Sequence, residues 1–359
     1  MEKTSKGKVF VGMSGGVDSS VSALLLKEAG YDVVGVFIKV WQANFLPCTW
    51  RDERRDAMRA AAHIGIPFTT LDLEKEYKEE VVDYMIREYK AGRVPNPDVM
   101  CNKYVKFGGF LTFAKEHGAD YIATGHYARI RSEDGKHQLL TGVDREKDQS
   151  YFLWTLSEDV LGQILFPIGE MEKSEVRTFA AAKGLPNAEK KDSQGLCFMG
   201  PVDMEDFLKH YIKCKKGEVR DESGQVIGEH GGAMLYTIGQ RHGFTTLKQS
   251  PNDEPYFVIA KHIETNGITV GHRDPRTESG KRDAFDITEV LLRGSEYMFG
   301  GKFSVRIRYR GELHPAHLEK IDGGWKVKLQ TALSDISPGQ SVVFYGGDTC
   351  IGGGVIAGK

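Results

Sequence analysis

Two thiols and one carboxylate stand in unusual surroundings in this chain. Cys101 ends the run Pro95-Asn96-Pro97-Asp98-Val99-Met100-Cys101, and Cys197 ends the run Lys190-Lys191-Asp192-Ser193-Gln194-Gly195-Leu196-Cys197. The thiolate is the reactive form of cysteine, and it can attack an electrophile or carry transferable sulfur. The prolines impose an extended or turning backbone, after which residues 102–117 read as a helix. Cys101 is therefore expected near a helix N-terminus, with Lys103 and Lys106 close by, and both features favour its thiolate. Asp98, three residues earlier, is placed to exchange protons with a reacting group. A free cysteine is also often a small buried hydrophobe. That alternative stays open for both thiols; it is the reading for Cys214 and Cys350, while Cys48 is ambiguous.

A second constellation lies near the N-terminus, in Gly12-Met13-Ser14-Gly15-Gly16-Val17-Asp18-Ser19. It joins a short apolar run, Lys8 to Gly12, to a helix-like run, Ser20 to Ala29. A strand feeding a glycine turn that opens a helix suits a phosphate. The glycines let backbone N–H groups crowd an anion, and the helix end adds partial positive charge. A side chain at Gly16 would obstruct that approach, and would clash if the turn needs positive φ. No Gly-Lys-Ser/Thr closes the loop and the GxGxxG spacing is absent, which excludes a Walker A loop and a dinucleotide fingerprint. The stretch resembles the SGGxDS loop of the ATP-pyrophosphatase (PP-loop) superfamily, whose members split ATP between the α and β phosphates and use the AMP half to activate a substrate oxygen. A plain helix-capping turn is the alternative.

The elements that must position these groups are legible in outline. Asp32 to Lys39 and Pro67 to Leu73 read as strands, Glu74 to Ala91 as a helix, and Ala119 to Thr124 as a strand ending at Gly125-His126. Strands alternating with helices imply an α/β, doubly wound parallel sheet whose ligand sits at the strands' carboxyl ends, where Gly12 and Gly125 would meet. Beyond residue 205 the chain becomes glycine-rich and strand-like, with a hairpin pattern around Asn266-Gly267. Residues 1–205 are thus expected to form the PP-loop domain, 206–280 a small β-rich domain and 281–359 a C-terminal β-barrel. In the last of these, residues 302–310 read as a strand with Arg306, Arg308 and Arg310 on one face and Tyr309 opposite, a pattern suited to phosphates or stacked bases. A solvated strand face is the plain alternative.

Composition narrows the class. The chain has 359 residues, 40% hydrophobic and 27% charged, with a net charge of −2. Any nucleic-acid partner must then use a local basic patch. Five scattered cysteines do not make a disulfide framework, and no Cys-x-x-Cys or His-x-x-x-His spacing signals zinc. His126 and His230 read as hydrogen-bonded structural histidines. No apolar run suits a membrane span or secretory signal, so a cytoplasmic protein is expected.

The set GMSGGVDSS, AGRVPNPDVMCNKYVKFG, GADYIATGHYAR, DREKDQSYFLW, KKDSQGLCF, YTIGQRHG, VRIRYRG and SPGQSVVFY, in this order, is similar to bacterial tRNA-specific 2-thiouridylase. The resemblance runs over nearly the whole chain. It implies that Gly12 to Ser19 hold ATP phosphates with Mg2+, and that Ile38 and Gly125 touch the adenosine. It implies that Cys197 carries a persulfide received from a donor protein, that Cys101 is the second catalytic thiol and Asp98 the acid/base. Asn96, Pro97 and Asp98 would contact the target uridine at the wobble position; His126, Lys147, Asp148, Gln149, Arg308, Tyr309 and Gln340 would contact tRNA. The segment Val40 to Trp50 departs from the family, which often has acidic residues there, and Ile38 stands for a commoner methionine of similar volume. The chemistry is coherent. AMP on the uridine O2 makes a good leaving group, persulfide sulfur attacks C2, and a second thiol cleaves the S–S bond, leaving a disulfide. A variant holds a [4Fe-4S] cluster on Asp98, Cys101 and Cys197. A small-molecule PP-loop ligase would need the loop but neither paired cysteines nor an RNA-facing barrel, and a non-catalytic RNA-binding protein on an ATP fold is a third reading.

Overall fold

The computed structural model describes residues 5–358 except 193–196, 199–203, 213, 248–253, 273, 275–280, 295–302, 323 and 335. Ser193 to Leu196 of the second cysteine run, and Lys302, lie outside the described residues.

Strand β1 (Lys8–Gly12) buries Val9, Phe10 and Val11 in succession because both its faces are covered. Val9 and Val11 pack with helices α1 (Val17–Glu28) and α2 (Trp50–Ile64). Phe10 packs on the other side with Tyr77, Met85, Val105 and Phe110 from the helical stretches 74–90 and 97–116. Strands β2 (Asp32–Lys39), β3 (Phe68–Asp72), β4 (Tyr121–Ala123) and β7 (Ile164–Leu165) complete a parallel sheet of order β3-β2-β1-β4-β7. The winding runs outward from β1 to β3 and then returns to β4. Such a reversal opens a crevice at the carboxyl ends of β1 and β4.

Two departures from the sequence reading concern the first domain. The second helical stretch starts at Pro97, not at Asn102. Proline's fixed φ and missing N–H suit the first helical position, so Cys101 lies a full turn inside the helix and is buried. The stretch continues through π-type turns over Cys101–Gly109 to Glu116. The other departure is an unforeseen hairpin, β5 (Ala128–Glu133) and β6 (Lys136–Thr141), in the first domain. Its turn residues Asp134 and Gly135 have φ of 51° and 75°, the conformation that an Asp-Gly hairpin turn requires.

The middle sheet, of order β10-β9-β8-β12-β11, comprises β8 (Gly217–Arg220), β9 (Val226–His230), β10 (Phe244–Thr246), β11 (Phe257–His262) and β12 (Gly267–Gly271). The C-terminal strands are β13 (Arg282–Leu292), β14 (Phe303–Arg306), β15 (His314–Ile321), β16 (Gly324–Leu333), β17 (Ser341–Gly346) and β18 (Thr349–Ile356). They follow the order β13-β16-β15-β14-β17-β18, and β13–β18 pairing closes an antiparallel barrel. Hairpin strand β6 pairs with β18, so the first domain contributes two strands to the barrel's sheet.

The expected arginine face is not formed. β14 ends at Arg306, and residues 307–310 turn, with Gly311 N–H donating to the Arg308 carbonyl at 3.0 Å and Arg310 at φ 58°. Arg306 points inward because the Asp148 carboxylate, 2% exposed, needs a cation; the two meet at 3.1 Å. Tyr309 lies against Phe152, centroids 4.5 Å apart. No helix among the described residues is long and apolar enough to cross a membrane.

The barrel docks on residues 150–156. Tyr151 O–H donates to the Ser341 carbonyl at 2.9 Å, and Trp154 Nε1–H to Ser341 Oγ at 3.1 Å. Arg293 donates to the carbonyls of Trp154 and Cys350, both at 2.9 Å, and to that of Leu156. Burial lowers the Arg293 pKa, with the Cys350 sulfur acting in the opposite direction. Removing this buried cation strands three carbonyls. Arg293→Met should cost about 2–4 kcal/mol, seen as a lower urea midpoint for the barrel's unfolding, whereas a substitution at exposed Glu312 should leave it unchanged.

Candidate active site

The glycine loop lies in the β1/β4 crevice. Ser14 N–H donates to Ser19 Oγ at 3.2 Å and Gly16 N–H to Ser14 Oγ at 3.3 Å. Buried Asn187 clamps the loop from outside, donating to the carbonyls of Gly15 (2.9 Å) and Gly16 (3.1 Å) and to Ser20 Oγ (2.9 Å). Positive φ falls at Gly15 (81°), not at Gly16, whose φ of −82° any residue can adopt. A Cβ on Gly15 would stand 2.4 Å from the Glu53 carbonyl, whereas one on Gly16 would meet only Ser14 Oγ, at 3.3 Å. Gly15 is thus fixed by the fold, and the space beside Gly16 is a cradle that a side chain would fill. Gly125 touches the start of α1: its Cβ would lie 2.8 Å from Ser19 N. Ile38 is buried near the carboxyl end of β2.

Charge surrounds the loop. Lys173 bridges Asp18, at 2.7 Å, and Asp192, at 2.8 Å. Asp192 also receives Lys147 at 2.9 Å and Arg177 at 2.7 Å. Burial opposes its ionisation, but hydrogen bonds from Lys147 and Lys173 hold it well below the usual carboxylate range. Tyr127 O–H donates to Asp18 at 2.9 Å. The sequence reading passed over Lys173, Arg177 and Asn187, which lie far along the chain in no glycine- or cysteine-rich motif.

The two candidate thiols meet. Cys101 Sγ and Cys197 Sγ are 3.5 Å apart, with Cys101 buried and Cys197 half-buried. Asp98 accepts the Cys197 N–H at 3.1 Å, and Tyr77 O–H donates to the Cys197 carbonyl at 2.7 Å. Burial, with the hydrogen bond to Cys197, pushes the Cys101 thiol well up. That same hydrogen bond, joined by the charge of Lys106 and opposed by burial, lowers Cys197 to about 7. The thiolate preference expected for Cys101 therefore falls on Cys197: Cys101 is too deep, and Lys103 turns toward the Tyr104 ring, 4.8 Å from its centroid. Burial raises the Asp98 pKa, moderated by the Cys197 N–H and Lys106.

A cleft of about 320 Å³ opens beside Asp98, with Asn96, Pro97, Tyr151, Phe152, Tyr309 and Gln340 in its wall. Gln340 Nε2–H donates to the carbonyls of Val94 at 2.9 Å and Pro95 at 3.1 Å, tying the barrel to the Asn96-Pro97-Asp98 turn. Other residues of the expected RNA-contacting set lie elsewhere. Asp148 is buried under Arg306, Lys147 pairs with Asp192, and Gln149 accepts the Tyr127 N–H at 3.0 Å. His126 is buried, 2.7 Å from Thr124 Oγ1; burial and Lys106 keep its pKa well below the ordinary value. The loop before α2 packs its Phe45 on His210, rings 3.7 Å apart, which accounts for part of the Val40–Trp50 segment.

Both implied groups can be tested against these residues. The open space beside Gly16, the N-terminus of α1 and the ring of lysines and Arg177 fit a nucleotide phosphate, and Asp18 is the carboxylate placed at its edge. A cluster does not fit the thiols as they stand, because two sulfurs in contact leave no volume for iron between them. No three His, Cys, Asp or Glu side chains group for a metal among the described residues.

Consecutive stretches match three family profiles: a tRNA methyl transferase HUP domain at residues 7–201, a tRNA methyl transferase PRC-barrel domain at 205–272, and an aminomethyltransferase beta-barrel domain at 289–356. The chain is 45% identical to tRNA-specific 2-thiouridylase MnmA of Bacillus subtilis, covering 97% of this chain and 94% of that protein. Identity to tRNA-specific 2-thiouridylase MnmA 2 of Geobacillus kaustophilus is also 45%, with the same coverage. The MnmA of Enterococcus faecalis is 44% identical, over 99% and 96% of the two chains.

The site makes its own test. Iodoacetamide should label Cys197 before Cys101, with a rate half-maximal near pH 7, because the Cys197 thiol is lowered to about 7 and the thiolate fraction rises as pH passes that value. Peptide mapping reads it; preferential labelling of Cys101 at neutral pH would contradict the geometry. Gly16→Val, which a backbone at φ −82° tolerates, should weaken nucleotide binding at least tenfold by calorimetry, an order-of-magnitude expectation from filling the cradle with a side chain.

Proposed function

We propose that this chain, which belongs to the tRNA-specific 2-thiouridylase family, converts a tRNA uridine to 2-thiouridine with ATP, releasing AMP and pyrophosphate. The observation that carries this reading is the pair of sulfurs 3.5 Å apart beside a carboxyl group and a base-sized cleft. The profile descriptions speak of methyl transfer, but two thiols in contact suit sulfur transfer through a persulfide and then a disulfide.

In this reading the uridine enters the cleft between the Asn96-Pro97-Asp98 turn and the Tyr309–Phe152 pair. An extruded base is held by stacking and edge contacts of this kind. ATP lies over the glycine loop, with Gly125 and Ile38 toward the adenosine. Mg2+, held by Asp18 and the phosphates, would neutralise charge on the leaving pyrophosphate. Nucleotide loop and thiols are joined by consecutive residues: Gly125 touches α1, and His126 faces Lys106, 3.5 Å away, beside Cys197.

Cys197 accepts sulfur from a persulfide-bearing donor protein. After AMP is attached to the uridine O2, the terminal persulfide sulfur attacks C2, and AMP leaves with the oxygen. Cys101 then attacks Cys197 Sγ, breaking the S–S bond to the base and forming the Cys101–Cys197 disulfide, while the base keeps the sulfur. A raised Asp98 pKa suits a group that takes the Cys101 proton and returns it later. An external reductant restores both thiols. The sulfur–sulfur contact favours this route over the cluster variant.

Purified protein with ATP, tRNA and a persulfide-bearing sulfur donor should yield 2-thiouridine and one pyrophosphate per base. Cys197→Ser should lose persulfide loading. Cys101→Ser should still load sulfur on Cys197 but leave uridine unthiolated, a loss on the order of a hundredfold or more. Mass mapping after one turnover without reductant should find the disulfide. Sulfur loading on Cys101 with Cys197 dispensable would overturn the assignment of roles, and thiolation that tracks bound iron would restore the cluster variant.

A further inference from the structure

The helix that carries Cys101 also carries Lys106, a residue to which neither a substrate contact nor a proton transfer has been assigned above. We propose that Lys106 is the positioning residue that holds Cys197 as a sulfur-accepting thiolate, itself held by the neutral ring of His126. This rests on the reading of Cys197 as the sulfur acceptor.

The geometry is specific. Lys106 lies five residues after Cys101 on the same π-turned stretch, Cys101 Sγ meets the half-buried Cys197 sulfur at 3.5 Å, and the Lys106 charge acts on that sulfur. Its Nζ is 3.5 Å from His126 Nε2 and 5.4 Å from the centre of the Phe198 ring. His126 Nδ1 meets Thr124 Oγ1 at 2.7 Å. A charged ammonium has only donors. His126 Nε2 must therefore accept from it, which puts the ring proton on Nδ1, facing Thr124. A neutral ring suits this role, and burial and Lys106 itself keep His126 neutral. The groups facing the Cys197 sulfur are then Cys101, Asp98, Tyr77 and Lys106. Among them Lys106 is the sole cation in the described residues. Burial disfavours its charge, but the Cys197 and Cys101 sulfurs outweigh that and keep it protonated.

The chemistry needs such a cation. To receive sulfur, Cys197 attacks the outer sulfur of a donor persulfide, R–S–SH. The new bond is Cys197 Sγ–S, the R–S bond to that sulfur breaks, and the electron pair leaves on R–S−. Only the thiolate attacks, and Asp98 beside it opposes the negative charge. Lys106 offsets that opposition without giving up a proton.

The test needs neither ATP nor tRNA, so its result is separable from that of the thiolation assay. The rate of iodoacetamide labelling of Cys197 is measured against pH on the full-length reduced protein, with peptide mapping to separate it from Cys101. Lys106→Met should move the midpoint up by about one pH unit, on the order of a fivefold loss of labelling at pH 7. Lys106→Arg, which keeps the charge, should restore most of it. Lys106→Gln stands in if Lys106→Met does not unfold cooperatively. An unchanged midpoint in the neutral variant, or one displaced equally in Lys106→Arg, would overturn the proposal.

Discussion

One buried carboxylate holds the molecule's working parts in register. Asp148 accepts the N–H groups of Gly142 and Ser150, the Ser150 hydroxyl and the Arg306 guanidinium, each at 3.1 Å. An unpaired charge at that depth would be untenable, so the barrel strand that supplies Arg306 has to dock there. Everything beyond Arg306 follows. The chain must leave the strand, turn, and set Tyr309 on Phe152; Gln340, on the barrel's other side, reaches Val94 and Pro95. The cleft beside Asp98 is thus built by two domains at once.

The parallel sheet makes the other half of the site. Its reversal between β1 and β4 brings Gly12 and Gly125 to neighbouring strand ends, because those strands pair at Val11 and Ala123. Gly125 can lie against α1 only without a side chain, and His126 is carried by the next residue toward the thiols. Glycine loop and sulfur pair are therefore two ends of one short structural path. A reaction that activates an oxygen at one end and delivers sulfur at the other has this geometric requirement.

The two thiols are made unequal by their surroundings. Cys101 is held inside a helix among apolar side chains, whereas Cys197 accepts its hydrogen bond and faces Lys106. Depth raises one pKa, and the neighbour and cation lower the other. In the proposed sequence of steps, a resolving thiol that stays protonated until needed and an acceptor lowered toward neutrality are the pair that stepwise sulfur transfer requires.

Sequence alone determined the parallel sheet, its glycine loop and the barrel-like tail, since these rest on local patterns: short apolar runs, glycine turns and helical spacing. It also picked out Asp98, Cys101 and Cys197, whose proline- and lysine-marked runs are local too. The Asp134-Gly135 hairpin was equally legible and was passed over. Tertiary structure alone decided which glycine needs positive φ, because that depends on the carbonyl of Glu53 beyond Gly15. It alone decided which thiol is lowered and which is raised, because burial and the neighbours of each sulfur are not written in spacing. It turned Arg306 inward as well, since the partner that demands this, Asp148, lies 158 residues earlier in the chain. Short-range patterns fix what each segment becomes; charges and sulfurs acquire their properties only from neighbours that folding brings from far away.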